Sequence, residues 1–324
     1  MRAIVVDRWM EPADLRVSEA PEPDVHEGML GVEVKAAGCN FFDILLVQGR
    51  YQSKPPFPFI PGGEVGGIVH AVGPGVENFK VGDRVLASIQ LGAFAERVSV
   101  PAIAAWKLPE KMTFQEGAAL PIVYPTSYAA LVYRANLRPG EVLLVHAAAG
   151  GVGIAAVQIG KALGARVIAT AGGEEKLDVA RRAGADLAID YRDASWVDQV
   201  RTATDGRGAD VIYDPVGGDI FDQSLKCIAW SGRLLVIGFA SGRIPEVKAN
   251  RILLKNISVL GIHWGAYQMN EPERIPEIFD ALFKLYEEGK IKPLIFKTYP
   301  LAEIPAALDA LGSRHSYGKV ILTP

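Results

Sequence analysis

Thiols are scarce in this 324-residue chain, in which Cys39 and Cys227 are the only cysteines. Two cysteines exclude a disulfide framework and a four-thiolate metal site, and they accord with a reducing compartment. A basic excess is missing as well: the formal net charge is -3. Nucleic acid is therefore not an expected partner, although a small anionic cofactor needs only a local basic pocket. One uncharged stretch, Val142 to Gly160, is long enough to raise the membrane question. Four glycines and a histidine interrupt it, so it reads as strand, turn and helix. The opening residues soon meet Asp7, Arg8 and Glu11 and do not resemble a signal peptide. The expectation is a cytoplasmic protein that does not enter a membrane. What is present is an ordinary globular composition, 49% hydrophobic and 22% charged, at a length that predicts two domains.

From Met1 to about Pro109, short β-branched runs such as Leu30 to Ala37 and Glu64 to Val72 alternate with Gly and Pro, the pattern of a compact mostly-β domain with few helix signals. After Leu120 the texture changes. Val142 to His146, Arg166 to Thr170, Leu187 to Asp190, Asp210 to Tyr213 and Arg233 to Ile237 are apolar runs separated by helix-like segments, which predicts a parallel α/β sheet. Glu273 to Glu288 has helical periodicity and stops at Gly289; Leu294 to Tyr299 and Lys319 to Leu322 again read as strands. The expected organisation is a mostly-β domain of residues 1–120 and 290–324, with an α/β nucleotide-binding domain of residues 121–289 inserted in it.

Val142 to Val145 runs through His146, Ala147, Ala148 and Ala149 into Gly150, Gly151, Val152 and Gly153, then into apolar residues at helical spacing. Glycines there let backbone approach a pyrophosphate, and the amides opening the helix supply donors. Ala148 stands where the GxGxxG spacing puts its first glycine; small residues used only for packing are the competing explanation. In NAD-selective units an acid about 20 residues further on takes the ribose hydroxyls. Ala171 ends the second strand here, and no acid occupies it. Gly172, Gly173 and Lys176 follow, with Tyr191 and Arg192 after the next strand, offering amide, ammonium and hydroxyl groups to a 2'-phosphate. A solvated helix face is the plain alternative for Lys176. The combination favours NADPH over NADH.

The run from Gly140 to Gly153, with Gln158 and Lys161, resembles the signature of the quinone oxidoreductase and zeta-crystallin group of medium-chain dehydrogenase/reductases. The similarity extends to Asn40-Phe41-Phe42-Asp43, Gly49 with Tyr51, Pro61-Gly62-Gly63-Glu64 and Val81-Gly82-Asp83-Arg84-Val85. It implies a Rossmann domain inserted in a GroES-like catalytic domain, and usually a homodimer joined through the Rossmann sheets. It also implies that Ala149, Gly150, Gly151, Val152, Gly172, Gly173, Lys176, Tyr191, Gly217, Phe239 and Arg314 bind the cofactor. Asn40 and Thr126 are expected beside the nicotinamide, and Tyr51 and Trp264 around the acceptor. Tyr124, Tyr128 and Tyr267 are further candidate walls, against the general expectation that aromatics are core.

The family includes zinc enzymes, whose catalytic ion needs Cys, His or carboxylate ligands. Asn40 and Gly63 stand at two of the ligand positions, and Ala119 to Thr126 has no thiol for the third. No metal is expected. What remains is hydride transfer to an acceptor that is already electrophilic, a quinone or an α,β-unsaturated carbonyl, in a crevice outside the carboxyl ends of the parallel strands. The alternatives are an enoyl-thioester (acyl-CoA) reductase, and a non-catalytic NADPH-binding structural or RNA-associated protein.

Overall fold

The computed structural model describes residues 1–324 as two compact units, Met1–Ile122 with Pro293–Pro324, and Val123–Lys292. Their junctions fall two and three residues beyond 120/121 and 289/290. At the first junction the Ile122 N–H donates to Glu64 Oε2 at 3.0 Å, which keeps that residue with the first unit.

The first unit opens with a two-stranded pair, β1 (Arg2–Ile4) and β2 (Val17–Glu19). Its main sheet uses β3 (Met29–Cys39), β4 (Glu64–Val72), β5 (Arg84–Ser88), β6 (Arg97–Pro101) and β7 (Ala105–Lys107). Helix α1 (Phe41–Val47) follows β3, and α2 (Phe114–Ala119) ends this part of the chain. Few helix signals are expected in this unit, yet α1 forms because its two ends are specified locally. The Asp43 carboxylate reaches back to accept the Asn40 N–H at 2.7 Å, the second half of a capping box. At the other end Gly49 takes φ +68, and a Cβ there would lie 2.6 Å from the Trp9 ring.

The second unit contributes α3 (Val123–Tyr128), β8 (Val142–Val145), α4 (Gly151–Ala162), β9 (Arg166–Ala171), α5 (Glu174–Arg182), β10 (Leu187–Asp190), α6 (Trp196–Ala203), β11 (Ala209–Asp214), α7 (Gly218–Cys227), β12 (Ile228–Val236), α8 (Ala249–Lys255), β13 (Ser258–Gly261), α9 (Tyr267–Asn270) and α10 (Arg274–Glu287). Its six strands pair in parallel in the order β10-β9-β8-β11-β12-β13. The near-continuous apolar character of β8 and β11 follows, because a parallel strand covered on both faces has no solvent side. The chain steps outward from β8 to β10 and then returns to β11, so the order reverses between β8 and β11. Sheets of this kind bind ligands at that reversal, outside the carboxyl ends of the strands.

The remaining chain, β14 (Ile295–Pro300), α11 (Ile304–Gly312) and β15 (Lys319–Thr323), completes the first unit. β15 pairs antiparallel with β3, setting Val320 opposite Cys39. The first core gathers residues from both ends of the sequence, among them Val32, Val65, Phe94, Ile304 and Leu322; Leu144, Ile168, Trp196 and Ile212 lie in the second.

Candidate active site and its nucleotide turn

In the second unit, β8 hands over to α4 through a turn in which Ala147 has φ +48 and Gly150 is the residue before the helix. Ala148 N–H is taken by Thr170 O at 3.0 Å and Gly150 N–H by Ala147 O at 2.9 Å. The first intrahelical bond runs from Ile154 N–H to Gly150 O. Gly151, Val152 and Gly153 therefore open the helix with amides that have no acceptor within it, the arrangement that binds a pyrophosphate. Gly153 is tightly constrained: a Cβ would sit 2.2 Å from Ala147 O.

The other second-unit glycines and aromatics singled out from the sequence also follow strand ends. Past β9, Gly172 lies against the Tyr191 ring, with about 3.0 Å from its would-be Cβ to the nearest ring atom. Gly173 has φ +88 and lies beside the Arg192 guanidinium, 3.4 Å by the same measure. Tyr191 directly follows β10. Past β11, Gly217 adopts φ +67 and ψ -155, open in practice to glycine alone, and Phe239 covers it at 3.0 Å from that position. Lys176 is in the first turn of α5, half-buried. Thr126 is half-buried in α3. Trp264 stands three residues past β13, half-buried, its ring 5.3 Å from that of Tyr267.

Two acids given no role in the sequence reading lie at these strand ends. Asp190 accepts from the Gly173 N–H at 3.2 Å and pairs with Arg192 at 2.6 Å, and the guanidinium holds its carboxyl down at about 2. Asp214 receives the N–H groups of Val216 and Gly217 at 2.8 and 3.0 Å, which fixes the glycine turn. Its other oxygen is buried without a partner, and burial raises its pKa. Both acids follow apolar strand residues, the only signal available for them in sequence.

Two candidate walls are core. Tyr124 is 1% exposed and its hydroxyl donates to Gln158 at 2.8 Å; Tyr267 is also buried. His146 is buried between Thr170 and Ser224, 2.8 Å from each, and burial depresses its pKa to about 3. A cavity of about 620 Å³ lined by Arg207, Ile228, Trp230 and Lys255 lies at the amino-terminal ends of β11 and β12, opposite the carboxyl ends at which sheets of this kind bind ligands.

In the first unit, Asn40 is 7% exposed and sits in a polar cluster. Its Nδ2 donates to Glu64 Oε1 at 2.8 Å and its Oδ1 accepts from Lys319 Nζ at 2.6 Å. Lys319 also donates to Cys39 O at 3.0 Å and pairs with Glu64. Asp43 is fully buried, and that burial raises its carboxyl to about 7. Tyr51 is half-buried against Phe42, with ring centroids 5.5 Å apart; burial first, then the Asp43 charge, pushes its hydroxyl up. Arg314 is exposed, with φ +60, just past α11. Neither Glu64 nor Lys319 was assigned a role from the sequence; they are 255 positions apart and meet only through β15.

The donor set around Asn40 does not suit a divalent ion. An amide, one carboxylate and a carbonyl already surround an ammonium, and burial pushes the adjacent Cys39 thiol well above its ordinary value. No group of three His, Cys, Asp or Glu side chains is placed to hold a metal.

A reversing parallel sheet with an open-amide glycine turn, in a chain that also carries a GroES-like unit, defines a nucleotide-dependent medium-chain dehydrogenase/reductase. Residues 26–110 match the alcohol dehydrogenase GroES-like domain, and residues 151–284 match the family described as zinc-binding dehydrogenase. The chain is 43% identical to a quinone oxidoreductase-like protein 2 homolog of Nematostella vectensis, over 90% of this chain and 80% of the relative. Against quinone oxidoreductase-like protein 2 of Mus musculus the identity is 38%, over 99% and 92%. The Escherichia coli quinone oxidoreductase complexed with NADPH superposes with a TM-score of 0.92 at 33% identity, covering all of both chains. The chain belongs to the quinone oxidoreductase group of the medium-chain dehydrogenase/reductases.

Proposed function

We propose that this chain binds NADPH and reduces quinones or α,β-unsaturated carbonyls by direct hydride transfer without a metal. The observation that carries this reading is the set of carboxyl strand ends in the second unit. Three helix-opening amides can take a pyrophosphate, and Ala171 replaces the acid that would repel a 2'-phosphate. NADPH-complexed quinone oxidoreductase, similar over its whole length, supports it. When bound, the cofactor supplies a hydride; the chain's own work is to hold it and orient the acceptor. In this reading Gly151 and Val152 donate to the pyrophosphate, and Lys176, Tyr191 and Arg192 take the 2'-phosphate where Gly172 and Gly173 leave room for it, with Arg314 as a further cation. Phe239 and Gly217 border the dinucleotide. Asn40 and Thr126 border the nicotinamide, and Tyr51 and Trp264 provide flat apolar area for the acceptor.

Steady-state NADPH oxidation with 9,10-phenanthrenequinone, a 2-alkenal and crotonyl-CoA tests the reading. Turnover should be fastest with the quinone or the alkenal. A preference for crotonyl-CoA would make the protein an enoyl-thioester reductase, and tight NADPH binding with no turnover would leave a binding protein. Elemental analysis should find less than stoichiometric zinc after dialysis, and chelators should leave the rate unchanged; loss of activity on chelation would overturn the metal-free mechanism.

A further inference from the structure

We propose that Lys319 is a positioning residue, whose ammonium locks the Asn40 amide so that one Nδ2–H is presented to the carbonyl oxygen of the acceptor. An ammonium has three donors, and Lys319 has three acceptors: Asn40 Oδ1, Cys39 O and Glu64 Oε1. Its side chain is 5% exposed and that of Glu64 is fully buried. Glu64 is itself fully engaged, since Oε1 also receives Asn40 Nδ2 and Oε2 receives the Ile122 N–H. The amide of Asn40 thus has a single permitted orientation. Turned over, its NH2 would face the ammonium and its oxygen the carboxylate, two repulsions in place of two charge-assisted hydrogen bonds.

This fixed orientation leaves a definite residue of bonding capacity. A carboxamide nitrogen carries two hydrogens; one goes to Glu64, and the other has no acceptor in the chain. Asn40 as a whole retains 7% of its surface. An N–H left without a partner selects an acceptor atom. As the substrate takes up the hydride of NADPH, its electron pair moves onto the carbonyl oxygen, which then gains a proton from water. A donor held in place before the charge develops stabilises that oxygen without reorganising. The inference rests on the quinone or enone reading above, and it gives that reading the polarising donor it otherwise lacks.

The test is a double-mutant cycle of wild type, Lys319→Met, Asn40→Ala and the pair, with Lys319→Arg alongside. NADPH affinity is read by fluorescence without acceptor, and kcat and KM with 9,10-phenanthrenequinone. Each single variant should lower kcat/KM about tenfold with NADPH affinity held within about twofold, and the pair should be no worse than Asn40→Ala, because both remove one donor. Lys319→Arg should recover most of the rate. Wild-type kinetics in Lys319→Met, losses that multiply in the pair, or an equal loss of NADPH binding would overturn the proposal. If Lys319→Met does not fold, Lys319→Met/Glu64→Gln removes the unpaired buried charge and takes its place in the cycle. Absence of any wild-type turnover would defeat the functional reading and this proposal with it, whereas the other outcomes bear on Lys319 alone.

Discussion

Charge placed against ordinary solvation decides most of what individual side chains do here. Asp43 is the strongest case: buried, with one carboxylate oxygen unpartnered, its pKa rises from 3.8 to about 7. Below about pH 3.8 the group is protonated in both the folded and the unfolded chain and costs nothing. Between there and about pH 7 the unfolded chain releases the proton while the folded one retains it, so stability falls as pH rises. Asp43→Asn keeps an oxygen for the Asn40 N–H and removes this slope, so the melting temperature of the variant should vary less across that range than that of wild type. Parallel curves would show that Asp43 is not the titrating group. In the nucleotide-binding unit, Lys176→Ala and Arg192→Ala should each weaken NADPH by about tenfold, near 1.4 kcal/mol, the scale of a charge-assisted hydrogen bond to phosphate, with little effect on NADH. Equal losses for both cofactors, measured by titration, would remove these residues from the discrimination.

The turn between β8 and α4 separates two jobs that its glycines perform. Gly153 is needed for packing, since a Cβ would drive into Ala147 O at 2.2 Å and Ala148 Cα at 2.7 Å, both backbone. Gly153→Ala should therefore destabilise the unit itself, with a lower melting temperature even without cofactor. Gly151 opens the helix, and in the proposed reading a side chain there would meet the pyrophosphate instead. Gly151→Val should melt near wild type yet lose NADPH affinity by more than tenfold, on the order of what one blocked phosphate contact costs. If Gly151→Val bound NADPH normally, the phosphate would have to bind elsewhere. At α1 the Asn-x-x-Asp spacing has a structural meaning as well: Asp43 occupies the third helical position and accepts the Asn40 N–H, while the Asn40 side chain is left to Glu64 and Lys319.

Assembly and acceptor choice are properties of the entire chain. β13 is an edge strand paired only with β12, and an edge of this kind can pair with another copy. A light-scattering mass of two chains is expected, and a monomer at working concentration would refute pairing through this edge. No helix is long and apolar enough to cross a membrane. Trp264 is half-buried; if it walls the acceptor as proposed, Trp264→Ala should raise KM for a polycyclic quinone several-fold with NADPH affinity unchanged, and wild-type kinetics across acceptors of different size would make it a packing residue. Much of the architecture was legible along the chain. Alternating apolar runs place β8 to β12, and the return of the C-terminal strands to the first unit follows from their late position and strand-like composition. The glycine turn and the missing acid at Ala171 were legible too, because both are local: a backbone conformation and a strand end are encoded by neighbours. Tyr124 was not, since a tyrosine reads the same on a wall and in a core until its hydroxyl finds Gln158. Lys319, Glu64 and Asn40 were least legible of all. Their meeting depends on β15 lying beside β3, and the energy that orients them, a buried charge that must be matched by its neighbours, exists only after those distant segments have excluded water together.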